Sequence, residues 1–249
     1  MQIKFEINSY WNKSAEGYNQ FYTSKAIKNE KKQEKWQSLY CNEFQSDAKT
    51  ILDVGTGPGI IAIMLAQKGF NVTAVDFSED MLKFARHNAH NKNLDIEFKR
   101  ADAESLPFDD NSFDVVVSRH MLWTTINPEV VFKEWFRILK PGGKIVYIDG
   151  NWYKTDKTLK RKLWIGFSEF ITLVTEFRDP RSEDLSEEMK DALWSIKANR
   201  PDYDRNILSD AGYINITTND SIESEVFSWK EYLKEGYWGP RFLVSAEKP

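Results

Sequence analysis

Three acids and one histidine stand where a run of strands and turns would put them to chemical use. Asp53 comes two residues before Gly55-Thr56-Gly57-Pro58-Gly59, and Asp76 closes the run Asn71-Val72-Thr73-Ala74-Val75. Asp102 follows Ile96-Glu97-Phe98-Lys99, and His120 follows Phe113-Asp114-Val115-Val116-Val117-Ser118-Arg119. Glycines admit positive φ and remove side chains, so a ligand can lie against bare backbone at residues 55–59. The apolar run from Ile60 to Ala66 reads as a helix opening out of that turn. Its first N–H groups lack intrahelical partners and point at whatever the turn holds. An acid at the tip of a second strand, as Asp76 would be, can accept hydrogen bonds from both ribose hydroxyls. A dinucleotide turn places its third glycine where this chain has Ile60. A histidine at a strand tip is a candidate general base, although such a residue also serves as a hydrogen-bonded structural group. His87 and His90 have no further ligand near them in sequence and read as surface residues.

The elements that would position these residues alternate. Residues 51–54, 71–75, 96–99, 113–118 and 144–148 read as strands, separated by helical segments and by the turn Lys140-Pro141-Gly142-Gly143. Strands alternating with helices predict a parallel sheet covered on both faces, with ligands outside the carboxyl ends of the strands. The chain has 249 residues, enough for one sizeable core. Lys and Arg total 34 against 38 Asp and Glu, so no general attraction for nucleic acid is expected. Cys41 is the sole cysteine, which excludes an intrachain disulfide and a cysteine cluster for metal. No apolar run approaches the length needed to span a bilayer, and residues 1–6 carry no apolar signal core. A cytoplasmic protein without membrane or nucleic-acid partners is the expectation, as a monomer or homodimer.

The series LDVGTGPG, AVDFSEDML, ADAESLPFDDNSFDVVVS and RILKPGGKIVYID resembles the class I S-adenosylmethionine-dependent methyltransferases, of the small-molecule, type 11-like kind. The resemblance covers roughly residues 48 to 150. It implies an α/β, Rossmann-like, seven-stranded and mostly parallel sheet, with helices on both faces, an antiparallel last strand and a helical lid. It implies S-adenosylmethionine as cofactor, S-adenosylhomocysteine as product, and a small-molecule substrate. Gly55, Thr56 and Gly57 would form the cofactor turn. Asp53 would meet the cationic amino group, or else bond loop amides in its own neighbourhood. Asp76 would take the ribose, Phe77 would stack on adenine or fill core, and Met81 would flank them. Asp102, Ala103 and Glu104 would meet the adenine edge. Ser118 and Arg119 occupy the place that contacts the methionine part in the family. The N-terminal segment Tyr10-Trp11-Asn12-Lys13-Ser14-Ala15-Glu16-Gly17-Tyr18 would bring Tyr10 or Trp11 and Tyr18 over the cofactor, or pack on the sheet edge.

The expected organisation is a single methyltransferase domain over 1–249. It comprises an N-terminal helical segment (1–47), a cofactor-binding core (48–150), a helical insertion (151–200) and C-terminal strands (201–249). Residues 25–36 are dense in charge at helical spacing and predict a solvated helix face. Residues 159–177 are dense in Leu, Ile, Phe and Trp and predict a helix buried on two sides, as lid, core or dimer contact. Trp123, Trp152, Trp164 and Trp238 are the candidate substrate-pocket walls. A nicotinamide-dependent oxidoreductase, a methyltransferase of RNA or protein, and a non-catalytic S-adenosylmethionine-binding protein are the alternative readings. Ile60 and the turn at 140–143 speak against the first.

Overall fold

A computed structural model describes residues 2–20, 29–152, 158–176, 185–235 and 240–249. Two helices, α1 (Gln2–Tyr18) and α2 (Glu30–Cys41), precede β1 (Thr50–Val54), α3 (Ile60–Ala66), β2 (Asn71–Asp76), α4 (Glu79–His90) and β3 (Glu97–Arg100). The chain continues through β4 (Phe113–Arg119), α5 (Pro128–Ile138) and β5 (Leu139–Gly150). Then come α6 (Leu159–Glu176), α7 (Glu187–Ala192), α8 (Trp194–Lys197) and α9 (Asp202–Asp210). It ends with β6 (Ile214–Asn219), α10 (Ile222–Val226), α11 (Trp229–Glu235) and β7 (Arg241–Glu247).

The seven strands form one sheet in the order β3-β2-β1-β4-β5-β7-β6. The β1 to β5 pairs are parallel, and β7 runs antiparallel to both β5 and β6. Successive strand residues point to opposite faces, and the core divides accordingly. Ile51, Val115, Val117, Val146 and Ile148 pack with α2, α3 and α10 on one face. Leu52, Val54, Val116, Ile145 and Tyr147 pack with α5 and α9 on the other. The order of the strands reverses between β1 and β4. The turns after their carboxyl ends therefore splay apart and leave a crevice.

Local chemistry sets the element ends. Ser78 caps α4, its Oγ accepting from Met81 N at 3.1 Å, with Glu79 and Asp80 in the first turn. Pro128 opens α5, and Val131, Phe132, Trp135 and Ile138 bury its inner face. Gly69, at φ 91°, stops the chain just after α3.

The structure refines three expectations. The turn at residues 140–143 lies inside β5, because the end of β7 pairs there: Gly142 N donates to Lys248 O and Lys248 N to Gly143 O, each at 2.8 Å. Of the charged run at residues 25–36, 25–28 lie outside the described residues; Glu30, Lys31, Glu34 and Lys35 form the expected solvated face of α2, while its other side buries Trp36 and Tyr40 against the sheet and Gln37 Nε2 donates to Met64 O at 2.8 Å. Helix α6 is not buried on two sides; it buries Ser168 and Thr172, half-buries Trp164, Ile165 and Ile171, and leaves Leu159, Leu163, Phe167, Phe170, Leu173 and Val174 exposed.

A buried ion cluster ties the region after β5 to the sheet. Arg200 donates to Asp149 Oδ2 at 2.8 Å and to Asp204 Oδ1 at 2.7 Å, and Tyr147 Oη donates to Asp204 Oδ1 at 2.9 Å. All three charged side chains are almost wholly out of solvent. Removing the guanidinium leaves two buried carboxylates without their cation. Arg200→Met is therefore expected to lower stability by about 3–5 kcal/mol. Urea unfolding followed by tryptophan fluorescence checks this, and a loss below about 1 kcal/mol would show the cluster to be dispensable.

Candidate functional site

One cavity gathers the carboxyl ends of β1, β2 and β4, roofed by α1. Its floor is the turn after β1, with Gly55 and Gly57 at φ 70° and 55°. A Cβ on Gly55 would collide with the Met121 side chain, so that position is closed to other residues on two counts. Gly57 N donates to Asp76 Oδ2 at 2.7 Å, and Ser78 N donates to Asp76 Oδ1 at 2.8 Å. One carboxylate thus fixes both the β1 turn and the start of α4. Asp53 is buried beneath the turn, its Oδ2 accepting from Thr56 Oγ1 at 2.7 Å and Ala62 N at 3.1 Å.

Across the cavity, Asp102 and Glu104 share a cation from the roof. Lys4 Nζ lies 2.7 Å from Asp102 Oδ2 and 2.8 Å from Glu104 Oε2. Lys4, Ile7, Asn8 and Trp11 are spaced to lie on one side of α1, and all four line the cavity. Below Trp11 and Ile7, Trp123, Leu185, Met189 and Leu193 form a small separate core that seats the roof.

The tip of β4 supplies the far wall. His120 sits in the left-handed region at φ 55°, with its N–H on Ile148 O at 2.8 Å and its ring 4.8 Å from Trp152. The Arg119 guanidinium lies 4.6 Å over the Trp36 ring. Burial, followed by the charges of Arg119 and Arg241, holds His120 well below its ordinary pKa, so the ring is neutral at pH 7. Burial raises Asp53 to about 7 against its bonds from Thr56 and Ala62, and burial raises Asp76 to about 6.

Four buried polar atoms of cavity-lining side chains lack a hydrogen-bond partner: Asn8 Oδ1, Asp53 Oδ1, Arg119 Nε and His120 Nε2. Buried polar groups without partners are rare in a finished structure, and convergence on one cavity is what a ligand site requires. The set suits a zwitterionic, cationic nucleoside derivative. Acceptors lie at Asp53 and Asp76, a guanidinium at Arg119, and bare backbone at Gly55 and Gly57.

Of the residues singled out by sequence, Tyr18, Asp53, Gly55, Thr56, Gly57, Asp76, Phe77, Met81, Asp102, Ala103, Glu104, Arg119 and His120 line this cavity. Others do not. Ser118 turns into the sheet, its Oγ donating to Val54 O at 2.7 Å. Tyr10 packs edge-on against Trp11, which takes the lining position instead. Trp123 lies beneath the roof with Nε1 on His120 O at 2.8 Å, and Trp152 stands behind His120. Trp164 packs against Tyr232, 5.8 Å away, outside the cavity. Trp238 lies outside the described residues. Lys4, Ile7, Asn8, Met121, Thr124, Thr125 and Ile126 were not singled out and do line it. The spacing of Lys4, Ile7 and Trp11 was the available signal for the roof.

A family profile described as a methyltransferase domain matches residues 52–147. Among curated proteins, a demethylmenaquinone methyltransferase of Clavibacter sepedonicus is 44% identical over 96 residues, covering 39% of this chain and 39% of that protein. A ubiquinone biosynthesis O-methyltransferase of Coxiella burnetii is 34% identical over 99 residues, 40% of this chain and 42% of its own. The matches thus span about two-fifths of those relatives' length. Among solved structures, Haemonchus contortus phosphoethanolamine N-methyltransferase 2, bound to phosphomonomethylethanolamine and S-adenosylhomocysteine, superposes with a TM-score of 0.66 at 18% identity. It covers 96% of this chain and 58% of that one. The cyclase SpnF superposes at 0.58 with 19% identity, over 86% and 80% of the two chains. At such identities the likeness is one of fold, and the fold carries differently named activities.

No helix among the described residues is long and apolar enough to cross a membrane.

The raised acids give the site a pH signature. A carboxyl whose folded pKa exceeds its unfolded value of about 4 stabilises the fold fully below pH 4 and loses that contribution as pH rises through the folded value. For Asp53 the loss runs from pH 4 to about 7. Neutral His120 acts the other way below about pH 6.5, so the informative quantity is a difference between variants. Relative to the wild type, Asp53→Asn is expected to gain about 2 kcal/mol in unfolding free energy between pH 5 and pH 8. Denaturant titrations of the ligand-free protein at both pH values check it, and an unchanged difference would return Asp53 to an ordinary carboxylate.

Proposed function

We propose that this chain, whose residues 52–147 form a class I S-adenosylmethionine-dependent methyltransferase domain, catalyses methyl transfer to a small-molecule nucleophile. The convergence of unpartnered buried groups on the glycine turn carries the reading. The curated relatives, named for quinone methylation, support a small acceptor.

In this reading Asp76 receives the ribose hydroxyls on the lone pairs its backbone bonds leave open. Phe77 and Met81 flank the base, and Asp102, Ala103 and Glu104 face its edge. Lys4, held by Asp102 and Glu104, must share or release them there. Asp53 Oδ1 accepts from the amino group, and that cation favours the ionised carboxylate. Arg119 takes the carboxylate. Tyr18 and Trp11 close the site from above.

When bound, S-adenosylmethionine supplies a methyl group already activated by its sulfonium. The remaining work falls to the chain. It holds the nucleophile in line and excludes water, and positioning of this kind is worth about 7–11 kcal/mol of a barrier. His120 Nε2, neutral and unpartnered, is the group placed to take a proton from a nucleophile that arrives protonated.

Two measurements test the reading. Isothermal titration of the wild type is expected to give heat with S-adenosylmethionine and S-adenosylhomocysteine and none with NAD. Asp76→Ala should lose that heat, and Asp76→Asn should weaken it, while circular dichroism shows both folded. Normal binding by either variant would remove the ribose assignment. With an acceptor found by screening small nucleophiles, His120→Ala is expected to cut turnover by about 10²–10⁴ while cofactor affinity is kept. A variant with wild-type turnover and an unaltered pH profile would relieve His120 of the base role.

A further inference from the structure

Three adjacent strand ends build the wall behind His120. In the order β4-β5-β7, His120 follows β4, Trp152 stands just beyond the end of β5, and Arg241 opens β7. The antiparallel pairing of β5 and β7 sets Arg241 opposite Gly150. Gly150 lets the indole fold back over its own strand, since a Cβ there would lie 2.8 Å from Trp152 Cη2 and Cζ2. Every other residue type carries that Cβ. Trp152 Nε1 donates to Asp149 Oδ1 at 3.2 Å, which ties the ring to the strand it covers.

The indole seated in this way meets two further side chains. The His120 ring stands edge-on to it at 75° with centroids 4.8 Å apart, and the Arg241 guanidinium lies over it, 5.4 Å from its centre. Edge-to-face packing gives a ring pair a preferred angle as well as contact. Arg241 is held from its own side, with Nη1 on Glu223 Oε1 at 3.0 Å and the guanidinium 4.8 Å over the Phe227 ring. The His120 backbone is fixed too, its N–H on Ile148 O and its carbonyl accepting from Trp123 Nε1, each at 2.8 Å. What freedom the imidazole keeps is rotation about its side-chain bonds, and the contact with Trp152 limits it.

We propose that Trp152 and Arg241 are positioning residues for His120, Trp152 fixing the direction of the imidazole and Arg241 holding a cation against the indole behind it. The inference rests on the reading of His120 as the base. A general base must keep its nitrogen both aimed and unprotonated. His120 Nε2 is buried without a hydrogen-bond partner, and His120 lines the cavity. Burial is the first cause that keeps the ring neutral; Arg119 of β4 and then Arg241 of β7 add to it. Asp149 of β5 is answered by Arg200, and Glu223 of α10 offsets part of the Arg241 charge. Arg119 is the cation placed for an anionic group of the ligand, and that group would screen it from the ring. Arg241 is held by protein groups alone, so its place does not depend on a ligand.

Imidazole nitrogen NMR of the ligand-free full chain, titrated with pH, tests this apart from any methyl transfer. His120 is identified among the three histidines by the signal lost in His120→Ala. In the wild type it should stay neutral where an ordinary histidine, of pKa about 6.5, has taken up its proton. Its midpoint should rise toward about 6.5 in Trp152→Ala, which admits water, and in Arg241→Met combined with Glu223→Gln, which removes the cation without stranding its carboxylate. Arg241→Lys keeps the charge and should titrate near the wild type, and the exposed His87 and His90 should be unchanged throughout. With an acceptor in hand, Trp152→Ala should lower kcat about 10²-fold with KM and cofactor affinity kept, and Trp152→Phe should recover most of that loss. A His120 midpoint that moves in neither the Trp152 nor the Arg241 variant would overturn the proposal. So would a Trp152→Ala protein that loses cofactor affinity in place of turnover. A midpoint that moves as expected while His120→Ala keeps wild-type turnover would uphold the positioning and remove only the base role.

Discussion

The carboxylate of Asp76 holds the site together before any ligand arrives. It accepts from Gly57 N with one oxygen and from Ser78 N with the other. The first bond fixes the turn after β1, where Gly55 and Gly57 sit at positive φ; the second fixes the start of α4, which Ser78 then caps. Because β1 and β2 are in parallel register from Thr50↔Asn71 to Val54↔Val75, Asp76 reaches the turn only if that register is kept. Sheet pairing, the glycine turn and the helix start are thus coupled through a single side chain. The crevice they frame follows from the reversal of strand order between β1 and β4.

The sheet and this half of the site were legible in the sequence because both rest on local signals. Buried parallel strands read as apolar runs, glycines mark backbone that side chains would block, and acids at strand tips stand out against them. The roof was less legible. Lys4 and Asn8 reach the cavity only because α1 docks through Ile7 and Trp11 onto a distant cluster at Trp123 and Met189, and no local signal encodes that partner. Ser118 and Arg119 show the limit at finer scale. Adjacent strand residues point to opposite faces, so one turns into the sheet and the other toward the cavity. Helix α6 was misread for a related reason. Periodicity locates an apolar face, but nothing in the pattern tells whether the same chain or another one covers it.

Two arginines, one buried and one half-buried, illustrate how structure separates stability from binding. Arg200 has carboxylates on two sides, Asp149 and Asp204, with aromatic rings of Trp194 and Phe242 within 5.1 Å. Its charge is answered inside the fold, and the cluster serves to fix the chain after β5. Arg119 rests on Trp36 and keeps a buried Nε without a partner. A guanidinium left in that condition costs free energy that an anionic ligand group would return. Arg119 ends β4 and Arg200 lies between α8 and α9, and the count of their partners separates their roles.

The same logic governs the acids. In the free protein burial favours protonated Asp53, with its pKa near 7, and the neighbouring charge of Asp76 pushes the same way. A cationic group placed against Asp53 Oδ1 reverses the preference, because the ionised form then has a counter-charge at contact. Near neutral pH the site therefore stands between two protonation states, and a cation decides which one is filled. An ordinary surface carboxylate would already be ionised and would gain less from such a ligand, since water screens it. Burying Asp53 thus weakens the fold as pH rises and makes the site more selective for a cation than an exposed acid would be. The unpartnered oxygen and the raised pKa are two expressions of a single placement, beneath the glycine turn and out of water's reach.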